Sequence, residues 1–367
     1  MGDAQITLAY SRGDGIIAIG HGERYKAAHQ ALAASGFRRG DDWVYHLPDT
    51  DEDASRATMA NLVRHATAHE AEVTTSSRRF IGDAARDIAH LLPGQWDTRI
   101  ELYSHPAWQQ DLAPWLWDNG ELAQAVQNER IPYAATITDT ATGTTLLLVE
   151  RPGHQLDYLV GAFVPEPFEE GHGDPHAPRS ITLPPFAGHA ARTIADRFLP
   201  AYVRAVHTRR IATVTEALDR IRAEQDNWAA IVPSGRYSDA PPVGATALGQ
   251  AAEPFLNRAW AEFLSVVQHA PALLDRCRPP ATSWPEDARV LSHLADALTD
   301  ADNLGRDASL TRTERDARLR AALSTWLTYS EPFLRQARAA TPLRQHPVPA
   351  IAPPLQALPR GRYAPRH

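Results

Sequence analysis

In the stretch EEGHGDPHAPR, His172, Asp174 and His176 alternate along the chain. On an extended strand alternate residues share one side, so two imidazoles and a carboxylate would converge on a divalent ion such as zinc. Glu169 or Glu170 would then supply the base of a metal-dependent hydrolase. Gly171, Gly173 and Pro175 favour the competing reading, a solvated loop between strands. A second constellation lies in SGFRRGDDWVYHLP, where Arg38 and Arg39 flank Phe37 and precede Trp43 and Tyr45. Arg78 and Arg79 follow a strand of the same unit. Aromatic side chains on a sheet beside arginines hold single-stranded nucleic acid by stacking and by backbone charge. The bland alternative has Phe37 and Tyr45 filling a core under solvated arginines. Alternation puts Trp43, Tyr45 and Leu47 on one face, and Leu47 marks that face as buried. Trp43 is therefore expected to be structural, with the four arginines as the contact.

Other chemistries have less behind them. Gly20 and Gly22 mark a strand-to-helix turn that would present N–H groups to a phosphate, but Glu23 competes for the same positive helix end. There is no Gly-x-Ser-x-Gly and no identifiable acid and base pair, so no catalytic residue is assigned. Cys277 is the single cysteine and reads as a buried or incidental thiol.

These residues need elements to position them, and the chain reads as α+β. Residues 1–92 form a small ββαββαβ module. The strands QITLAYS and GIIAIGHG flank the turn signal RGDG, and a helix from about Glu23 ends at Gly36. FRR and WVYHLP follow as short strands, then a helix from about Asp51 to Ala71 and the strand EVTTSS. Residues 93–185 are rich in tryptophan. Trp108, Leu112 and Trp115 have helical spacing and read as core. Two strands flanking DTATG and a third after RPG make an antiparallel meander, with RSITLP as an edge strand. Residues 186–341 are helical, interrupted at Pro200, with later helices at about 245–275, 286–300 and 311–340. Residues 342–367 complete a proline-rich end with six arginines and no acid from Arg335 onward, a composition that predicts disorder.

The pattern Gly36-Phe37-Arg38, a polar turn, then Trp43-Val44-Tyr45-His46-Leu47-Pro48 resembles an uncharacterised module that opens many plasmid and conjugative-element proteins of high-GC Gram-positive bacteria. That module shows Gly-Phe-Arg-Trp, a turn and Trp-Tyr-Leu-Pro. More distantly it is similar to the HARP domain of annealing helicases, which binds DNA. The resemblance covers about the first quarter of the chain. Arg39 stands where the module has Trp, and Val44 is inserted into the aromatic pair. What the resemblance implies is a mobile-element setting and DNA, or a DNA-processing protein, as partner.

Composition sets limits on these readings. The chain has 367 residues and a formal net charge of −7, against a protein that coats nucleic acid over its whole surface. Of 37 basic residues only Lys26 is a lysine, a bias that fits a GC-rich genome better than selection for guanidinium chemistry. No apolar run approaches a membrane span and the first residues lack a secretory pattern, so a cytoplasmic protein without a membrane partner is expected. The function expected is that of a non-enzymatic accessory protein of a mobile element, binding DNA or a DNA-processing partner without a cofactor. The alternatives are the hydrolase above and an assembly protein that meets a partner, or itself, through the helical half.

Overall fold

The computed structural model describes residues 3–48, 51–234, 245–277, 285–306 and 309–340; side chains of residues 230–254, 278–287 and 305 lie outside that description. The tail at 342–367 and most of the loop before residue 245 also lie outside the described residues. No described helix is long and apolar enough to cross a membrane.

The fold is α+β. Its first sheet is built from β1 (Gln5–Ser11), β2 (Gly15–His21), β3 (Arg38–Arg39), β4 (Tyr45–His46) and β5 (Glu72–Arg79), in the order β3-β4-β2-β1-β5. Only the β1 and β5 pair is parallel. Helices α1 (Tyr25–Ser35) and α2 (Glu52–Ala68) cover one face. Gly36, at φ 100, ends α1 in the left-handed conformation and returns its N–H to the Ala33 carbonyl. Asp51 starts α2 by accepting the Ala54 N–H at 2.8 Å. Beneath them Ile6, Leu8, Leu32, Phe37, Tyr45 and Leu62 form one buried cluster.

The next element, α3 (Ile81–Leu91), is not anticipated by the ββαββαβ reading. Ile81, Ala84, Ala85 and Ile88 follow the helical period and are buried against the second sheet. That sheet runs β11-β10-β9-β8-β6, from β6 (Trp96–Leu102), β8 (Tyr133–Asp139), β9 (Thr145–Glu150), β10 (Tyr158–Phe163) and β11 (Ile181–Leu183), with β7 (Leu116–Trp117) paired to β10. Its strand pairs are all antiparallel. Short helices α4 (Pro106–Gln110) and α5 (Glu121–Asn128) lie over its far face, where Leu122, Val126, Leu147 and Leu159 are buried. The near face shares one core with α3, with Ile17, Ile19 and Val44 of the first sheet, and with α6 (Ala187–Thr193).

A π turn, Ile194–Phe198, joins α6 to α7 (Leu199–Ser234). Pro200 explains it: proline has no N–H to give the preceding turn and its ring crowds the carbonyl four residues back, so the helix widens there. α7 then runs beside α8 (Ala245–Cys277), and α9 (Pro285–Arg306) and α10 (Arg312–Ala339) complete a helical core around Phe263, Trp326 and Phe333. A capping box between Thr311 and Glu314 fixes the start of α10. Cys277 is buried in this core, and burial pushes its thiol pKa up, away from nucleophile chemistry.

One buried carboxylate ties these parts together. Asp83, on α3, is 2% exposed. It accepts from the Arg12 N–H at 2.7 Å, the Ser11 hydroxyl at 3.2 Å and the Arg86 guanidinium at 2.5 Å. Burial works against its ionised form, but these three donors and the Arg86 charge outweigh it and hold the pKa below the usual carboxylate value. A depressed folded-state pKa contributes stability that is complete above the unfolded value of about 3.9 and is lost as pH falls through the folded one. Chemical denaturation from pH 7 to 3 is expected to show stability falling below about pH 5. Asp83→Asn should lower neutral-pH stability by about 1–3 kcal/mol, because it leaves donors facing an amide, and should flatten the acid slope. An unchanged acid slope in the variant would place the titration elsewhere.

Candidate nucleic-acid interface

The hairpin from β3 to β4 is closed by Gly40-Asp41-Asp42-Trp43. The Gly40 N–H donates to the Val44 carbonyl at 2.8 Å, and the Asp42 carboxylate accepts the Val44 N–H at 3.1 Å. A Cβ on residue 40 would lie 2.8 Å from both Asp42 Oδ1 and His46 Nε2, so a larger residue there would have to push these two side chains aside. Trp43 sits at φ 64, which L-residues with bulky side chains rarely adopt. That one left-handed residue breaks the alternation. Val44 is fully buried, Tyr45 enters the α1 side of the sheet, and Trp43 is 58% exposed. The expectation that Trp43 fills the core is thus overturned by the turn geometry.

The Arg39 guanidinium lies over the Trp43 ring, 4.2 Å from its centroid. Its charge also reaches His29 and Tyr45. His29 is pushed down mainly by burial and secondarily by Arg39, against a hydrogen bond to the Gly20 carbonyl that favours its proton. Arg38 is exposed and, among the described residues, makes no ion pair.

From Tyr45 the rings continue across α1. Tyr45 and His29 have centroids 5.5 Å apart, as do His29 and Tyr25, and Tyr25 lies 5.0 Å from Trp108 and 5.9 Å from His105. Gly20 permits this, since a Cβ there would meet His29 Cδ2 at 2.5 Å. The approach of α1 to α4 is set by the Gly22 N–H, which donates to the Ser104 carbonyl at 2.8 Å. His105 caps α4 by accepting the Ala107 N–H at 3.1 Å, with Pro106 in the first turn, and this orients Trp108 toward Tyr25. Trp108 is 43% exposed. A cleft of about 610 Å³ opens here, lined by Glu23, Arg24, Tyr25, Lys26, His105 and Trp108. Arg24 pairs with Glu70 at 2.8 Å, whereas Lys26 has no such partner among the described residues. An aromatic path thus runs from Tyr45, itself buried, through His29 and Tyr25 to Trp108, and at its hairpin end the exposed Trp43 touches Arg39 rather than another ring, with Arg38 and Lys26 nearby.

The remaining expectations resolve differently. Arg78 and Arg79 are both engaged by other parts of the fold, Arg78 half-buried and Arg79 still exposed. The Arg78 guanidinium donates to the Asp157 carbonyl at 3.0 Å and the Arg151 carbonyl at 3.1 Å, and Arg79 pairs with Asp87 at 2.8 Å. Trp108 and Trp115, expected as core, are exposed, because the helix ends after Gln110 and Pro114 interrupts its continuation. Gly20 and Gly22 form no anion loop, since the N–H groups of Gly22, Glu23 and Arg24 are taken by Ser104 and Asp3.

His172, Asp174 and His176 do not converge. Residues 172–173 and 175–176 form two turns, with Gly173 at φ 71, so the extended geometry that alternation needs is missing. Asp174 turns inward to the Trp117 indole N–H at 2.6 Å and to Arg209 at 2.8 Å, while His172 is exposed. Among the described residues no group of three His, Cys, Asp or Glu is placed to hold a metal.

Tyr25, His29, His105 and Trp108 were missed in the sequence. Only the spacing of Tyr25 and His29, one helical turn apart, hinted at a shared face. No protein-family model matches the chain, and neither a search of curated proteins nor one of solved structures finds a relative.

The conformation of Trp43 makes a thermodynamic prediction. Trp43→Ala should change the unfolding free energy by less than about 1 kcal/mol, whereas Trp117→Ala, at a fully buried site, should cost about 3–5 kcal/mol. Trp43→Gly should gain about 1 kcal/mol by relieving the left-handed backbone. Thermal melts of the three variants decide the matter, and a large loss at Trp43 would contradict the exposed geometry.

Proposed function

We propose that the chain binds single-stranded nucleic acid along the path from Trp43 to Trp108. The observation that carries this reading is the Arg39 guanidinium stacked on an exposed tryptophan whose backbone is held at φ 64. Strain of about 1–3 kcal/mol is retained where the surroundings over-determine it, commonly at ligand contacts. An indole held outward, with a cation already on its face, offers a base a stacking surface and a phosphate a counter-charge in one place. The cleft at Tyr25 and Trp108 supplies a second stacking position, and Arg38 and Lys26 supply further charge.

Stacking on a ring face is tolerant of sequence, so this surface suits a strand of any composition. Duplex DNA hides its base faces and offers only its backbone. The mobile-element setting suggested by the GFRR and WVYHLP stretch fits a protein that handles the single strands exposed when DNA is processed or transferred.

Fluorescence anisotropy with a labelled single strand tests the reading. Trp43→Ala and Trp108→Ala should each lose about 1–3 kcal/mol of binding. Arg38→Gln with Arg39→Gln should weaken binding and make the slope of log affinity against log salt shallower by about 0.7 per arginine. Single strands should bind more tightly than duplex of the same length. Affinity unaltered in both the arginine pair and the two tryptophan variants, at low salt, would remove this face as the binding surface.

A further inference from the structure

Where α7 leaves the sheet core for the helical core, basic side chains gather with too little opposing charge. Val206 is the last α7 residue in the first core and Ile211 the first in the second. Between them lie His207, Arg209 and Arg210, and α8 brings His269 and Arg276 to the same place. The charge of Arg276 reaches Arg210 and His207, and that of Arg210 reaches His207 and His269, so the four groups are linked electrostatically. Phe168 closes one side: its ring stacks on His269 at 4.7 Å, and the Arg209 guanidinium lies 4.1 Å from its centroid.

The charges do not balance. Among the described residues the ion pair made at this junction is that of Arg209 with Asp174, whose carboxylate is also committed to the Trp117 indole N–H and the His176 N–H. Among the described residues neither Arg210 nor Arg276 has a carboxylate partner, and Arg210 Nε, Arg276 Nη1 and His269 Nδ1 are buried without a hydrogen bond. His269 is 4% exposed. Burial pushes it down to about 4, with Arg210 and Arg209 adding to the effect, and Arg210 is lowered by burial and then by Arg276. Arg210 and Arg276 are half-buried, and each keeps one donor atom out of reach of both solvent and a hydrogen bond, so these two atoms and His269 Nδ1 call for an acceptor.

We propose that this junction is a binding site for a phosphate-type oxyanion, held between Arg210 and Arg276 with His269 beside it. The chemistry of the donors selects the ligand. Two guanidinium groups present planar forks that match tetrahedral oxyanions, and an anion with several acceptor oxygens can meet separate donors at once. A carboxylate would satisfy fewer of them. With the anion bound, α7 and α8 are joined by charge at the point where one core gives way to the other. Asp174 and Arg209 carry that joint to the loop after β10.

The site is independent of the nucleic-acid face, and calorimetry with thermal melts of the full chain tests it. The probes are inorganic phosphate, sulfate and a simple phosphomonoester, at constant ionic strength against chloride. Phosphate should bind saturably at one per chain and raise the melting temperature. Arg210→Gln and Arg276→Gln should each weaken it at least about ten-fold, as expected when a charge-assisted hydrogen bond is lost. The Arg38→Gln, Arg39→Gln double variant should bind phosphate as the unaltered chain does, which separates this site from the nucleic-acid reading. Tighter binding of the monoester would assign the site to a phosphorylated small molecule, and equal or weaker binding to the free ion. No saturable response of the unaltered chain to any of the three anions would overturn the proposal. So would a response that persists undiminished in both glutamine variants. If a variant fails to fold, the titration of the unaltered chain still decides.

Discussion

The buried carboxylate of Asp83 is the constraint on which the arrangement of the two sheets depends. It receives the β1–β2 turn through the Arg12 backbone N–H and the Ser11 hydroxyl, and it sits on the helix that packs against the second sheet. Asp87, one turn further along, takes Arg12 and Arg79, so the end of β5 is drawn to the same helix. A carboxylate this buried is stable only while its donors stay in place, so the turn, the strand end and the helix hold one relative geometry. Arg78 adds a further link by donating to two carbonyls between β9 and β10. The arginines that sequence patterning offers to a ligand are thus divided by topology. At the end of β5, Arg78 joins the second sheet and Arg79 pairs with α3, whereas Arg38 and Arg39 on the edge strand β3 are exposed.

That geometry in turn builds the aromatic path, whose parts come from different units. Trp43, Tyr45, His29 and Tyr25 belong to the first sheet and its helix, whereas His105 and Trp108 belong to the segment after β6. They meet because the Gly22 N–H reaches the Ser104 carbonyl, and that contact depends on how the sheets are set against each other. Local sequence patterning cannot reveal a site of this kind. Residues 80 positions apart carry no shared period, and histidines such as His29 and His105 look the same in sequence whether they cap, pack or bind.

What was legible follows the same division between local and distant causes. The meander across β8, β9 and β10 could be read because DTATG and RPG are turn chemistry acting over a few residues. The helical half could be read because Ile211, Val214, Leu218 and Ile221 keep the helical period, and the π turn has a local cause in Pro200. Trp43 was misread because alternation presumes an unbroken strand, and one left-handed residue moves the ring to the other side of the argument. The helical spacing of Trp108 and Trp115 does not make them core, because the helix ends after Gln110 and Pro114 blocks its resumption. α3 was overlooked although Ile81, Ala84, Ala85 and Ile88 show its period plainly. For His172, Asp174 and His176 the alternation was real, but glycine and proline fold it into turns, and Asp174 answers to Arg209 and Trp117, both remote in sequence.

The balance of charge shapes what the proposed interface can be. With a net charge of −7 the chain as a whole repels a polyanion at long range, so association cannot rest on a broad basic field. Many of its arginines are also closed off in ion pairs, among them Arg12, Arg24, Arg79, Arg86 and Arg209. The cations left beside the aromatic path are few: Arg38, Arg39 on its indole, and Lys26 at the cleft. Asp41 and Asp42 in the turn next to them set a further limit on how closely a backbone can follow the hairpin. Attraction must then come mainly from ring faces, which act at contact and are little screened by salt, with a small number of phosphates fixing register. On the proposed reading such a surface would reject duplex for want of accessible base faces and hold a single strand with modest dependence on salt, which would give an acidic protein a physical basis for strand selectivity.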